Sequence, residues 1–171
     1  MKLEPATIEL VDQLDERWKS QLDALEISGL KYVGAISRAR EVIRGEHADN
    51  YAYIIINDAA CPDGILLLSH ACPRAKEGSW LKLLDVILAP IYSDVDQAPN
   101  LDELVGIASF ILANAYELTG KEQHKSQELK ICSDKLIDIK IWREVASKLP
   151  DMFELPFEMS SHGQWFVLKC K

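Results

Sequence analysis

The sequence is short of the residues that mark several functional classes. Only four cysteines occur, Cys61, Cys72, Cys132 and Cys170, and none of their spacings is that of a zinc site. They read as reduced thiols of a cytoplasmic protein, with a Cys61–Cys72 bridge across a hairpin as the alternative. No histidine has a second ligand at metal-binding spacing, so no metal is expected. No apolar run approaches the ~20 residues of a membrane helix. Met1-Lys2-Leu3-Glu4-Pro5 lacks the apolar core of a signal peptide. Positive charge is scarce: 19 Lys and Arg stand against 27 Asp and Glu, for a net charge of −8. With no basic run, general binding to nucleic acid is not expected, because such affinity rests on cationic contacts to phosphates. There is no internal repeat, low-complexity tract or interdomain linker, and 171 residues read as a single domain, 1–171, with room for a core.

What is present is organised around Leu81 to Gly120. Leu81-Lys82-Leu83-Leu84-Asp85-Val86-Ile87-Leu88 is nearly all apolar, as suits a central strand covered on both faces. Ala89-Pro90 and a polar loop follow. Asn100 is placed to cap a helix, with Glu103 three residues on as a capping box requires. Leu101, Leu104, Val105, Ala108, Ile111, Leu112, Ala115 and Leu118 then recur at three and four, one apolar stripe. Gly120 suits a left-handed stop.

The rest of the chain falls into place around this unit. Lys2 to Ala6 reads as an edge strand. Thr7 caps a helix whose inner face is Val11, Leu14, Trp18, Leu22 and Leu25. Ile27 to Gly29 breaks it, and a second helix runs from about Lys31 to Arg44 on Val33, Ile36, Ala39, Val42 and Ile43, with Gly45 at the stop. Tyr51–Ile56 and Ile65–Ser69 are strands of a hairpin, turned by Asn57-Asp58 and Pro62-Asp63-Gly64. Glu128 to Cys132 is a short strand. A last helix spans about Ser133 to Leu149 and ends at Pro150. Phe153–Met159 and Trp165–Lys169 make a final hairpin around Ser160-Ser161-His162-Gly163. The sum is a mixed α/β chain of about seven strands and four helices.

That order of elements resembles the GNAT superfamily of acyl-CoA N-acyltransferases over almost the whole chain. Lys2-Leu3-Glu4-Pro5-Ala6-Thr7 looks like the family's opening strand and turn. Leu83-Leu84-Asp85-Val86-Ile87-Leu88-Ala89-Pro90 looks like its fourth strand with the proline after it. The helix from Leu101 looks like the one whose start cradles the CoA pyrophosphate. The resemblance implies an α+β, mostly antiparallel twisted sheet flanked by helices, opening in a V after Leu88. It implies acetyl-CoA as co-substrate and an amine, small-molecule or peptide, as acceptor. Asp85 would act as general base, directly or through water. Backbone amides of Val86, Ile87 and Leu88 would face the thioester, with Ser93, Asn100 and Trp142 also lining the cofactor. Trp142 falls where many members carry the tyrosine that protonates the leaving thiolate, and indole is no practical acid, so Tyr92 is the nearest replacement, with Tyr116 beside it.

The departure lies in the loop after the fourth strand. The family's Gln/Arg-x-x-Gly-x-Gly/Ala pattern is replaced by Tyr92-Ser93-Asp94-Val95-Asp96-Gln97-Ala98-Pro99-Asn100, without glycine or arginine. Asp94, Asp96, Asp102 and Glu103 would stabilise a helix start and repel a pyrophosphate. Asp85 could equally be a strand carboxylate paired with Lys82, Arg74 or an amide. Tyr116 and Trp142 also fit packing, Cys132 fits an inert thiol, and Ser160 and Ser161 have no triad partners in sequence. His70 and His162 are candidate bases, His162 fitting a turn as well, whereas His47 and His124 in polar loops read as solvated. Two readings stand: a GNAT-like N-acyltransferase, or a non-catalytic GNAT fold kept for protein binding or homodimerisation.

Overall fold

The computed structural model describes residues 1–71, 78–93, 101–132, 142, 144–145, 157–162 and 165–170. Thr7 begins the first helix as its sequence position requires. Its hydroxyl accepts from the Leu10 amide at 3.2 Å, and helix α1 runs Ile8–Leu25 after strand β1, Lys2–Pro5. Helix α2 is Leu30–Ile43, and Gly45 follows with a φ of 75°, the left-handed conformation glycine takes without strain. Strands β2 (Asn50–Ile56), β3 (Pro62–Ala71) and β4 (Trp80–Leu88) come next. A 3-10 turn at Pro90–Ser93 leads to helix α3, Leu101–Leu118. Strands β5 (Glu128–Cys132), β6 (Phe157–His162) and β7 (Trp165–Cys170) complete the sheet, whose order is β1-β2-β3-β4-β5-β7-β6. Strand β4 pairs parallel with β5, while β1–β2, β5–β7 and β6–β7 pair antiparallel.

The chain divides into two compact units, Met1–Leu68 with Asp85–Pro99, and Ser69–Leu84 with Asn100–Lys171. In the first, Val11, Leu14 and Trp18 of α1 and Tyr32, Ala35, Ile36 and Ala39 of α2 join Ile54, Ile56, Ile65, Leu67, Ile87 and Ala89 in one core. Trp18 meets Tyr32 edge to face at 5.1 Å, a favoured aromatic geometry. In the second, the register sets Leu81, Leu129 and Leu168 in one row and Leu83, Ile131 and Phe166 in the next. All six are buried, because residues opposite one another in a ladder share a face. Val105, Ala108, Ile111, Leu112, Ala115 and Leu118 are the buried stripe of α3.

Several sequence expectations need correction. In α2, Ile36 and Ala39 are buried and Val42 and Ile43 pack against the core as expected, but Tyr32 takes the inner position and Val33 is 61% exposed. Pro62-Asp63-Gly64 is not turn but the start of β3. The hairpin turn is instead closed by the Asn57 side chain, which accepts from the amides of Ala59 and Cys61 at 3.0 Å. Strand β3, buried from Pro62 to Leu68, is the covered central strand. Strand β4 alternates, and its Leu84 is exposed. Gly120 is not left-handed; α3 ends through tightened bonds from the Thr119, Gly120 and Lys121 amides to carbonyls three residues back. Ser160, Ser161 and His162 belong to β6 rather than to a turn. Cys61 and Cys132 are free thiols, so the Cys61–Cys72 alternative falls. The helix expected over 133–149 lies mostly outside the described residues, though Trp142, Glu144 and Val145 are helical.

Candidate functional site

The parallel ladder between β4 and β5 ends at Leu83↔Ile131. Strand β4 nevertheless continues to Leu88. Among the described residues, the register with β5 covers Trp80 to Leu83 of β4. A backbone edge released from pairing is a row of N–H and C=O groups that must find other partners.

Asp85 lies on this stretch and treats it in a particular way. Its Oδ1 accepts from the Val86 amide at 3.0 Å. Its Oδ2 faces Nη1 of Arg38, from α2, at 3.9 Å, beyond hydrogen-bond reach. Carboxylate and guanidinium are 47% and 55% exposed. Asp85 is thus neither paired with Lys82 nor buried: it is held by one backbone amide and open to solvent. Val86 and Leu88 are half-buried and Ile87 is buried.

Behind the strand lies a network that sequence reasoning missed. Asp63, at the start of β3, is buried. Its Oδ2 accepts from the Tyr92 hydroxyl at 2.8 Å, its Oδ1 from Nη2 of Arg17 in α1 at 3.3 Å, and its carbonyl from the Ala89 amide at 2.8 Å. Gly64 next to it has no room for a side chain. A Cβ there would sit 3.0 Å from the Ile87 carbonyl oxygen and 3.0 Å from Cδ1 of Ile55. The Pro-Asp-Gly composition disguised this as a turn; the only hint was an acidic residue beside a strand of unbroken apolar character. Tyr92, expected as an acid, is committed to Asp63 instead. Ser93 ends the 3-10 turn, Asn100 lies outside the described residues, and Trp142 is helical and half-buried.

The second unit holds two buried imidazoles. His124, expected in solvent, is fully buried, and His70 is nearly so. The polar run around His124 folds inward because the Ser126 amide donates to the Thr119 carbonyl and the Gln127 amide to the Ser79 carbonyl. The Ser126 hydroxyl donates to the His124 carbonyl at 2.6 Å. Having a single proton, it can only accept at its 3.2 Å contact with His70, so Nε2 of His70 carries the hydrogen. Gln123 donates to Nε2 of His124 at 3.0 Å. Burial, then the nearby His70 and Lys121, push His124 down to about 4. Among the described residues no group of three or more His, Cys, Asp or Glu could hold a metal ion. On the other face of the sheet, Lys130 lies 4.1 Å above the Trp80 ring and Lys82 5.2 Å above that of Trp165.

The fold has counterparts of known structure. A possible acetyltransferase from Clostridium difficile 630 matches with a TM-score of 0.53 at 10% identity, over 95% of this chain and 96% of that one. A chimera of spermidine N-acetyltransferase SpeG from Vibrio cholerae and hSSAT gives 0.53 at 9% identity, over 99% and 92%. A probable acetyltransferase gives 0.52 at 12%, over 95% and 96%. No protein-family model and no curated protein matches the chain in sequence. The architecture is therefore GNAT-like: a seven-stranded, mostly antiparallel mixed sheet with flanking helices. At such identities the likeness is one of fold, and activity has to be argued from the site.

Proposed function

We propose that this chain transfers an acyl group, acetyl in the first instance, from acetyl-CoA to an amine. The observation that supports this most directly is the register of β4, which among the described residues pairs in parallel with β5 over Trp80 to Leu83 while the strand runs on to Leu88. Successive strand amides point to opposite edges, so alternate ones among Val86, Ile87 and Leu88 lie along such an edge, donors of the kind that stabilise the oxyanion of an attacked thioester. Asp85 takes the proton of the incoming ammonium, directly or through water. The amine nitrogen then bonds to the acyl carbon and gives up its second proton to solvent, the C–S bond breaks, and the thiolate leaves and is protonated to the thiol. The net charge of −8 favours the approach of a cationic acceptor. Tyr92, bound to Asp63, steadies the exit of β4 rather than donating a proton. Ser93, Asn100 and Trp142 keep the cofactor-lining roles that the resemblance implies.

A second reading has one observation in its favour. The Val86 amide is already taken by the Asp85 carboxylate, which sets negative charge where a thioester carbonyl would need a donor. On that reading the fold serves as a protein-binding or dimerising scaffold. Calorimetric titration of acetyl-CoA into the folded protein separates the two. A dissociation constant near or below ~10 μM, about −7 kcal/mol, supports transfer. Asp85→Asn then lowers turnover by about 10²–10⁴-fold without weakening acetyl-CoA binding. No binding at high protein concentration sinks the transferase reading.

A further inference from the structure

Asp85 and Arg38 form a loose pair. They stand 3.9 Å apart and half-exposed, beyond hydrogen-bond reach of each other. The carboxylate accepts from the Val86 amide through Oδ1, and Oδ2 is the oxygen that faces Arg38. The guanidinium keeps its planar fork of donors, the group best matched to a second carboxylate. Together they present one fixed negative and one fixed positive group, a complement to a small zwitterion.

The outer face of α2 continues from this pair. One turn before Arg38 is Gly34, where a Cβ would meet nothing within 4 Å. Val33 beside it is 61% exposed and Leu30 a turn earlier is 84% exposed. Large side chains as open as these are a surface feature with a cost in water. Glu41, further along the helix, does not compete for a cation, since its oxygens contact Ser37 at 3.4 Å and His47 at 3.3 Å. The charged pair therefore sits at the end of an open apolar strip on the same unit.

We propose that Asp85, Arg38 and the strip Leu30–Val33–Gly34 bind an apolar α-amino acid. Its ammonium meets Asp85 Oδ2, its carboxylate meets the Arg38 guanidinium, and its side chain lies along α2. This rests on the acyl-transfer reading for its chemistry, and names the acceptor: the product is an N-acyl amino acid and free CoA thiol. The bond made is C–N and the bond broken is C–S. Of the two protons the ammonium loses, one goes to Asp85 and reaches the departing sulfur through solvent, and the other is released to solvent.

Binding is measured without CoA, by titrating L-leucine, glycine and leucinamide into the intact protein. Leucine is expected to bind about tenfold more tightly than either, a difference of about 1.4 kcal/mol, because leucinamide lacks the carboxylate and glycine the side chain. Arg38→Gln should remove the preference over leucinamide, and Val33→Asp the preference over glycine, with thermal unfolding showing both variants folded. Equal affinity for leucine and leucinamide overturns the proposal, as does failure of leucine to bind at millimolar concentration. If simple alkylamines are acetylated but leucine does not bind, this inference fails and the transferase stands. If leucine binds in an Arg38-dependent way but no acyl transfer occurs from acetyl-CoA, the binding site stands and the transferase fails.

Discussion

Tyr92 carries the clearest test at the scale of single residues. As a proton donor to a thiolate it would need its hydroxyl free to reach the sulfur. Its hydroxyl instead donates to the buried Asp63 at 2.8 Å, and a hydrogen bond to a carboxylate contributes about 1.5–3 kcal/mol. Tyr92→Phe should lower unfolding free energy in urea by roughly that amount and leave kcat for acyl transfer within a factor of two or so, the range expected of a residue that makes no contact with the reacting atoms. A collapse of kcat with unchanged stability would return Tyr92 to the role of acid. The sequence offered Tyr92 and Asp63 only as two polar residues 29 positions apart. Nothing local signals such a pair, because its members meet only when β3 lies beside the exit of β4. Asp85 was legible as an interruption in an apolar strand. A backbone amide was among its expected partners, but that it would face Arg38 was not legible, since that depends on where α2 comes to rest.

The elements themselves were more legible than their contacts. Thr7 caps α1 and Gly45 stops α2 as local chemistry requires, because caps are decided within a few residues. The strand at β4 and the long stripe of α3 followed from periodicity alone. The errors came where a pattern had two physical solutions. Adjacent apolar residues in α2, Tyr32 and Val33, allow the helix to face inward by either, and the aromatic ring of Trp18 decides for Tyr32. Pro62-Asp63-Gly64 has turn composition, yet it is strand because the Ile87 carbonyl passes where a side chain would otherwise be. Gly64→Ala should therefore destabilise by about 1–3 kcal/mol, as expected for overfilling a packed strand pair. Denaturant unfolding checks this, and a neutral result would mean β3 lies further from β4 than the structure has it.

For the whole molecule, the buried histidine should set the response to mild acid. His124 is ordinarily protonated near 6.5, but in the fold this is pushed down to about 4 by burial and by His70 and Lys121. Between those values the unfolded chain binds a proton that the folded chain refuses, so stability falls as pH drops from about 6.5 toward 4. Glu128, lowered by its hydrogen bonds to Lys169 and Lys130, adds to the loss only below the usual carboxylate range. Urea titrations at pH 7 and pH 5 therefore isolate the histidine. The expected result is a clear loss of stability at pH 5 that His124→Asn flattens. An unchanged slope in that variant would place the acid sensitivity elsewhere.

By itself the sequence determined the kind and order of the described helices and strands, the lack of a long apolar span, and the acidic charge. These depend on periodicity, capping and composition, which act over short stretches of chain. Only the tertiary structure decided that Leu81 and Leu83 line up with Leu129 and Ile131, that Asp63 gathers Arg17 and Tyr92, that His124 is buried, and that Arg38 comes to Asp85. Each of these joins residues far apart in sequence, and their partners are chosen by packing and by the need to satisfy buried polar groups once the sheet has formed.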